Sequence, residues 1–326
     1  MTRVLRPEQA GALAEAARVL RAGGLVAFPT ETVYGLGADA FDATAVARIF
    51  EAKRRPAFDP LIVHLPEASW LPRVAASQPA AAQGLAARFW PGPLTLVLPR
   101  AEAVPDIVTS GLPSVAVRVP DHPAARALIA AAGTPVAAPS ANPFGYVSPT
   151  TAAHVAELLG DAVDLILDGG PCRVGVESTI VSLLEPTPAL LRPGGLPREE
   201  LEELLGQRLR VVPASDRPQA PGQLTRHYAT RTPLVVLAPE QPPVATGAGR
   251  VGLLAREQAP AAGGFAAIEV LAPDGQPRTA AARLFSALRH LDGLGLDLIL
   301  AEPWSGHGLG LAIMDRLRRC AAGRDD

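Results

Sequence analysis

The 326-residue chain reads as an α/β protein in two unequal parts, a twisted mixed-sheet domain and a smaller α/β unit after it. Three observations carry that reading. Short apolar runs alternate with stretches of helical periodicity from the N-terminus onward. The strand-type runs LTLVLP (94–99) and VAVRVP (115–120) follow one another without a helix, so the first sheet is mixed rather than wholly parallel. Residues 213–233 are rich in Pro and polar residues and carry no periodic apolar face, as a linker does.

Taken in order, residues 7–22 place Leu13, Ala16, Ala17 and Leu20 on one helical face and stop at Gly23-Gly24. LVAFP (25–29) is a short buried-type strand, and 42–53 is a helix opened by Asp42. LIVHL (61–65), LTLVLP, VAVRVP, PVAAP (135–139), VDLILD (163–168) and TIVSLL (179–184) are further strands. Helices are expected near 79–89, 122–132, 150–159 and 197–206. Beyond the linker, LVVLA (234–238), VGLLA (251–255) and LDLILA (296–301) are strands, with helices near 277–291 and 309–321. The expected division is 1–209, a linker over 210–232, and 233–326.

Composition excludes several classes. At 48% hydrophobic residues the chain can bury a core, so it is not disordered. Thirty basic residues against thirty-two acidic ones argue against affinity gained mainly by neutralising a phosphate backbone. Cys172 and Cys320 stand far apart and offer neither a disulfide framework nor a zinc spacing. No apolar run has the length of a membrane span, and the N-terminus lacks a continuous apolar core and cleavage site. A cytoplasmic location without membrane contact is the expectation. Within the thirty basic residues there is one lysine, Lys53; there is one asparagine, Asn142, and there are three tyrosines, Tyr34, Tyr146 and Tyr228.

Four segments hold groups suited to chemistry. The first, PTETVYGLG (29–37), follows a strand and offers two hydroxyls, a carboxylate and a phenol, at the kind of strand end where α/β proteins bind ligands. Its loose dinucleotide pattern, Gly35-x-Gly37-x-x-Ala40, leads into no helix and has no acid about 20 residues on. The second, Lys53-Arg54-Arg55-Pro56 through Asp59-Pro60, closes a helix. Cations there complement the helix dipole, but a lone lysine among arginines also suits a phosphate, for which an ammonium is a compact point charge. His64 follows on the next strand. The third is APSANP (138–143) with Ser148-Pro149-Thr150, where turn chemistry and a helix cap from Ser148 to Thr151 are the plain explanation. The fourth is GVEST (175–179), then LRPGG (191–195). No P-loop, nucleophile elbow, HExxH or paired CxxC occurs. A bound nucleotide would be held by scattered Arg, Lys and Ser side chains.

Jointly these motifs are specific. PTETVYGLGADA, KRRPAFDPLIVHL, FWPGPLTLVL, VAVRVPDHP, PVAAPSANPFGYVSPT, LDGGPCRVGVESTIV and LRPGG occur in that order. The chain resembles the L-threonylcarbamoyladenylate synthase family from about residue 7 to 205. APGQLTRHYAT (220–230) and AIMDRL (312–317) resemble the linker and C-terminal domain of its long form. The resemblance implies a YrdC-like catalytic domain followed by a smaller Rossmann-like α/β domain. It implies synthesis of L-threonylcarbamoyl-AMP and pyrophosphate from L-threonine, bicarbonate or CO2, and ATP with Mg2+. That product feeds a tRNA threonylcarbamoyl transferase that modifies adenosine 37.

Carried over position by position, threonine recognition falls on Thr32, His64, Arg118, Ala138 (through its backbone) and Ser178. The ATP side falls on Lys53, Arg55, Asp59, Ser114, Ser140, Ser148, Arg192 and Tyr228, with Asn142 supporting the phosphate or metal region. Lys53 and Arg55 are the expected catalytic cations, and no metal ligands are assigned. Elementary chemistry agrees: a carboxylate suits the fork of Arg118, and charge developing on phosphate oxygens suits Lys53, Arg55 and Arg192. The attacking carboxylate of N-carboxythreonine is itself a nucleophile, so a covalent enzyme intermediate is not expected.

Two departures stand out. Asp59 replaces the family's usual asparagine, setting a carboxylate near a triphosphate. QLTRHYAT stands where the family often has a Met-x-Tyr-x-His-Tyr-Ala-Pro run, losing one aromatic and the closing proline but retaining Arg226, His227 and Tyr228; a lid in which Tyr228 covers the nucleotide is expected there, against the plainer reading of a tether. The competing functional reading is an RNA-binding YrdC-like module without adenylate synthesis, which the near-neutral charge disfavours. Longer carbamoyl-transfer maturation enzymes that share the domain carry zinc-type cysteine pairs absent here, and the intact KRRP, SAN and ESTIV segments argue against a degenerate paralogue.

Overall fold

A computed structural model describes residues 2–213, 218–224, 227–245, 249–261 and 263–323. Arg226, in the linker core, lies outside the described residues. The chain opens with β1 (Arg3–Leu5) and α1 (Ala12–Arg21). α1 starts later than the periodicity of 7–22 suggests, because Gly11 takes a left-handed φ of 80° at the cap and the residues before it form a turn. β2 (Val26–Phe28) and β3 (Gly35–Asp39) form an antiparallel hairpin around Pro29–Tyr34. The Gly35-x-Gly37 run is therefore strand, not a phosphate cradle. α2 (Ala43–Lys53) follows, with Asp42 accepting from the Thr44 and Ala45 amides as its cap.

The domain continues through β4 (Ile62–His64), α3 (Ala80–Phe89), β5 (Leu94–Pro99), the short α4 (Asp106–Thr109), β6 (Ser114–Arg118), α5 (Pro123–Ala132) and β7 (Val136–Ala137). Next come α6 (Ala152–Leu159), β8 (Leu165–Leu167), β9 (Thr179–Ser182), β10 (Ala189–Arg192), α7 (Arg198–Leu205) and β11 (Arg210–Val211). Thr151 caps α6 by accepting from the His154 amide, leaving Ser148 for another partner.

These strands make one sheet in the order β1-β8-β2-β3-β7-β4-β6-β5-β9-β10-β11. Parallel pairs such as β4–β6 alternate with antiparallel ones such as β5–β6, giving the mixed sheet expected from the strands near 94–120. One face packs on α1 and α5 through Leu20, Phe28, Leu128 and Leu165. A larger core that includes Ile49, Val63, Leu85 and Leu96 gathers side chains from α2 and α3. β4 and β6 lie side by side in the middle, and their register sets His64 beside Arg118.

The second unit contains β12 (Leu234–Val236), β13 (Val251–Ala255), β14 (Ala267–Val270), α8 (Pro277–Asp292), β15 (Leu298–Ala301) and α9 (Gly308–Ala321). Its sheet, β12-β15-β13-β14, is wholly parallel, as strands joined by crossovers require. An apolar cluster joins the two units: Val33, Tyr146, Val147, Val176 and Tyr228 pack with Leu284, Phe285 and Leu288 of α8. Tyr146 donates to Asp292 at 2.7 Å, and Asp292 also accepts from the Thr232 amide at 2.8 Å. Gly175 takes a φ of +75°, and a Cβ there would lie 2.4 Å from the Ala281 carbonyl oxygen, so α8 approaches the loop before β9 only because that residue is glycine. Among the described residues no helix is long and apolar enough to cross a membrane.

Candidate active site

A cleft of about 40 Å3, partly open to solvent, lies over the middle of the large sheet. Its wall is built from strand ends and the segments that follow them: Thr30, Thr32 and Val33 after β2, His64 on β4, Arg118 on β6, and Ala138 to Ser140 after β7. Gly35 of β3, Arg55 after α2, Ile62 of β4, Glu177 and Ser178 before β9, Arg192 on β10, and Pro221, Gly222, His227 and Tyr228 of the linker complete it.

All five residues assigned to threonine line this cleft. Thr30 organises the hairpin loop: its hydroxyl donates to the Val33 carbonyl at 2.6 Å and accepts from the Thr32 and Val33 amides. This fixes Thr32, whose hydroxyl accepts from Arg118 Nη1 at 2.8 Å. Arg118 also donates from Nε to the Gly92 carbonyl at 3.2 Å and sets Nη2 2.6 Å from Glu31. The fork expected for a substrate carboxylate is thus largely turned to protein partners. Glu31, to which the sequence motif assigns no role, is fully buried and compensates the Arg118 charge.

His64 is held by its Nδ1, 3.2 Å from the Ile62 carbonyl, and by edge contact with Phe28. Burial, with the neighbouring Arg118 charge, lowers its pKa to about 3, so the imidazole is neutral and serves as a hydrogen-bonding group. Ala138 spends its amide on the Ile62 carbonyl, which leaves its carbonyl for a ligand. Ser178 lies 2.7 Å from Thr95, and its carbonyl accepts from Arg192 Nε and Nη2 at 3.2 and 3.0 Å.

The nucleotide assignments divide. Arg55, Ser140, Arg192 and Tyr228 line the cleft, whereas Lys53, Asp59, Ser114, Asn142 and Ser148 do not. Lys53 is buried, with its ammonium on the carbonyls of Ser140 and Asn142. Burial, reinforced by the Arg55 charge, holds its pKa well below the usual lysine range. Asn142 donates to the carbonyls of Pro143 and Tyr146 at 2.9 and 2.8 Å. Together the two residues shape the loop that presents Ser140. Ser148 donates to Glu177 at 2.6 Å. Ser114 begins β6, paired with Pro99.

Arg55 sits 2.8 Å from Asp59 and donates to the Asp59 and Pro60 carbonyls at 2.9 and 2.7 Å. Burial pushes the Asp59 carboxyl up and the Arg55 guanidinium down, and each holds the other charged. The carboxylate that the sequence set near a triphosphate is accordingly an internal partner of Arg55. On the other side, Arg192 Nη1 donates to the Pro221 carbonyl at 3.1 Å, tying the linker to the site. Tyr228 is buried, has a φ of 63°, and stacks on Phe285 with ring centroids 5.6 Å apart.

Glu177 and Arg316 are the other residues that sequence reasoning did not assign. Glu177 lies in the ESTIV segment and Arg316 in AIMDRL; they meet at 2.8 Å across 139 positions of chain, a contact no local spacing announces. Among the described residues no group of three or more His, Cys, Asp or Glu could hold a metal ion. Glu177 on the cleft wall, and Asp59 and Glu31 behind it, are already engaged by Arg316, Arg55 and Arg118. The donor set does not build a resident metal site.

Residues 18–194 match the Sua5–YciO–YrdC family model, described as "Telomere recombination", and residues 196–322 match "Threonylcarbamoyl-AMP synthase, C-terminal domain". A threonylcarbamoyl-AMP synthase of Pyrococcus abyssi is 47% identical over 325 residues, covering 95% of this chain and 94% of that protein. One of Bacillus subtilis is 44% identical over 323 residues, covering 96% and 93%. The crystal structure of P. abyssi Sua5 complexed with L-threonine superposes with a TM-score of 0.90 at 43% identity, covering 99% of this chain and 98% of that one.

Proposed function

We infer that this chain, which belongs to the threonylcarbamoyl-AMP synthase family in its two-domain form, makes L-threonylcarbamoyl-AMP and pyrophosphate from L-threonine, bicarbonate or CO2, and ATP. It is a nucleotidyltransferase that performs the first step of N6-threonylcarbamoyladenosine synthesis at tRNA position 37. The observation that carries the reading is the convergence of Thr32, His64, Arg118, Ala138 and Ser178 on one cleft whose other wall holds Arg55, Ser140, Arg192 and the linker. L-threonine as the amino acid is supported by the relative that was solved with it.

The chemistry follows from that wall. The threonine amine takes up CO2 and loses a proton, giving a carbamate. A carbamate oxygen then forms a bond to the α-phosphorus as the bond to the pyrophosphate oxygen breaks. The nucleophile is already anionic, so the protein's work is alignment and charge stabilisation. Neutral His64, the Thr32 hydroxyl and the Ala138 carbonyl orient the amino acid. Arg192, with Arg55 held back on Asp59, supplies positive charge to the phosphate side, while Lys53 acts from behind by fixing the Ser140 loop. The linker, with Tyr228, excludes water that would hydrolyse the activated carbamate. Mg2+ is expected to arrive on the triphosphate rather than on protein ligands. We place the reaction in the cytoplasm, with release of the adenylate to a tRNA threonylcarbamoyl transferase.

The test is direct. The full-length chain is incubated with ATP and Mg2+, with and without L-threonine and bicarbonate, and pyrophosphate and the adenylate are measured. Threonine-dependent formation of both is expected. Its absence, together with RNA binding that falls steeply with salt, would favour the RNA-binding reading instead.

A further inference from the structure

Arg316 lies on α9 in the second unit, yet it is fully buried against the catalytic cleft. Its Nε donates to Glu177 at 2.8 Å and its Nη1 to the Pro193 carbonyl at 3.0 Å. The guanidinium carbon stands 5.0 Å from the centroid of the Tyr228 ring. Glu177, in turn, lines the cleft and accepts from Ser148. A segment of the catalytic domain, the linker and the C-terminal helix therefore meet at one side chain.

Burying a guanidinium is costly, and an interface that only attached one domain to another would be served as well by apolar residues. The second unit already supplies such contacts through Phe285 and Leu288. What the arginine adds is positive charge against a carboxylate on the wall of an anion-binding cleft. An uncompensated Glu177 would repel a triphosphate strongly in so dry a setting.

We propose that Arg316 is a positioning residue of the nucleotide half of the cleft: it neutralises Glu177 and seats Tyr228, so the C-terminal domain completes the ATP site. The proposal rests on the adenylate-forming reading for the identity of the nucleotide. The charged and titratable groups facing Glu177 are Arg192 of β10, Arg316 of α9 and Tyr228 of the linker, and Arg316 also pairs through Nη1 with its neighbour Asp315 at 2.5 Å. Burial alone would raise its carboxyl; Arg316 and Arg192, with the Ser148 hydrogen bond, bring it below the ordinary value. Without Arg316 that carboxyl rises again, and its repulsion becomes dependent on pH.

Equilibrium ATP binding to the full chain, measured by calorimetry at pH 8 and pH 6, tests this. Arg316→Met should weaken binding about tenfold or more at pH 8 and recover part of the loss at pH 6. Glu177→Gln should bind ATP at least as tightly as wild type, and the double variant should return to within about threefold of wild type. A double variant as weak as Arg316→Met, a loss independent of pH, or a tenfold loss in Glu177→Gln would overturn the proposal. If Arg316→Met does not fold, as judged by its melting curve, the Glu177→Gln arm decides alone. Wild-type chain that binds ATP with these differences but releases no threonine-dependent pyrophosphate would sink the proposed reaction and leave this inference standing; wild-type chain that binds no ATP overturns both.

Discussion

Lys53, the chain's single lysine, turns its ammonium onto the carbonyl of Asn142, the chain's single asparagine, and lies 2.5 Å from the carbonyl of Ser140. The cation that the sequence pointed to as a phosphate ligand instead ties α2 to the loop presenting Ser140. An ammonium fits between two carbonyls as a compact donor, and a planar guanidinium does not. Lys53→Arg preserves charge but needs more room at a position 1% exposed. We expect at least about a tenfold loss of threonine-dependent pyrophosphate release, with a lowered melting temperature. Near-normal kinetics in that variant would return the lone lysine to coincidence.

Asp59 offers the opposite experiment. Its carboxylate draws Arg55 inward at 2.8 Å, whereas the family's usual asparagine would leave the guanidinium uncompensated and free to face phosphate. Asp59→Asn keeps an oxygen for Arg55 while removing the charge. Steady-state kinetics should show a KM for ATP lowered by about threefold or more, and unfolding should show a modest loss of stability. A raised KM would mean that the carboxylate itself serves the nucleotide.

The contrast between these two residues shows what the sequence carries and what it does not. Alternating apolar runs announced most strands and helices, because each must bury one face whatever its neighbours are. β3 follows a polar segment and shows no apolar alternation, although Gly37 packs against Phe28 in the hairpin; β11 is too short and exposed to show a period. The residue types at the site were legible as motifs, but their partners were not. Nothing in KRRP says that the lysine faces backbone carbonyls, and nothing in AIMDRL says that its arginine reaches Glu177 in another domain. Such pairings are settled by packing between segments far apart in the chain.

His64 should leave a signature in acid stability. Its folded pKa, about 3, lies below the ordinary value of 6.5 because burial and the Arg118 charge disfavour the imidazolium. Between those values the unfolded chain binds a proton that the folded chain does not. Stability therefore falls as pH drops below 6.5, by about 1.4 kcal/mol per pH unit from this group until the folded pKa is reached. Urea unfolding of wild type and His64→Phe at pH 6.5 and 4.5 should show the wild type losing more over that interval. Equal losses in the two proteins would remove the neutral, buried histidine from the account.

The linker makes the closing prediction. Gly222 has a φ of +78°, and a Cβ there would stand 2.9 Å from Arg192 Cδ and 3.0 Å from the Tyr228 hydroxyl. Gly222→Ala must strain the backbone and push apart the two side chains that bring the linker onto the cleft. Tyr228 itself holds a left-handed φ of 63°, a cost that persists only because Phe285 and Arg316 grip its ring. Its hydroxyl has no hydrogen-bond partner among the described residues, so the ring rather than the hydroxyl closes the site. Tyr228→Phe should accordingly be mild and Tyr228→Ala severe. The decisive quantity is the ratio of pyrophosphate released to threonylcarbamoyl-AMP recovered. In Tyr228→Ala and Gly222→Ala that ratio should rise by about threefold or more as water reaches the activated carbamate. Slower turnover with the ratio unchanged would leave the linker as a tether that supports the fold without guarding the product.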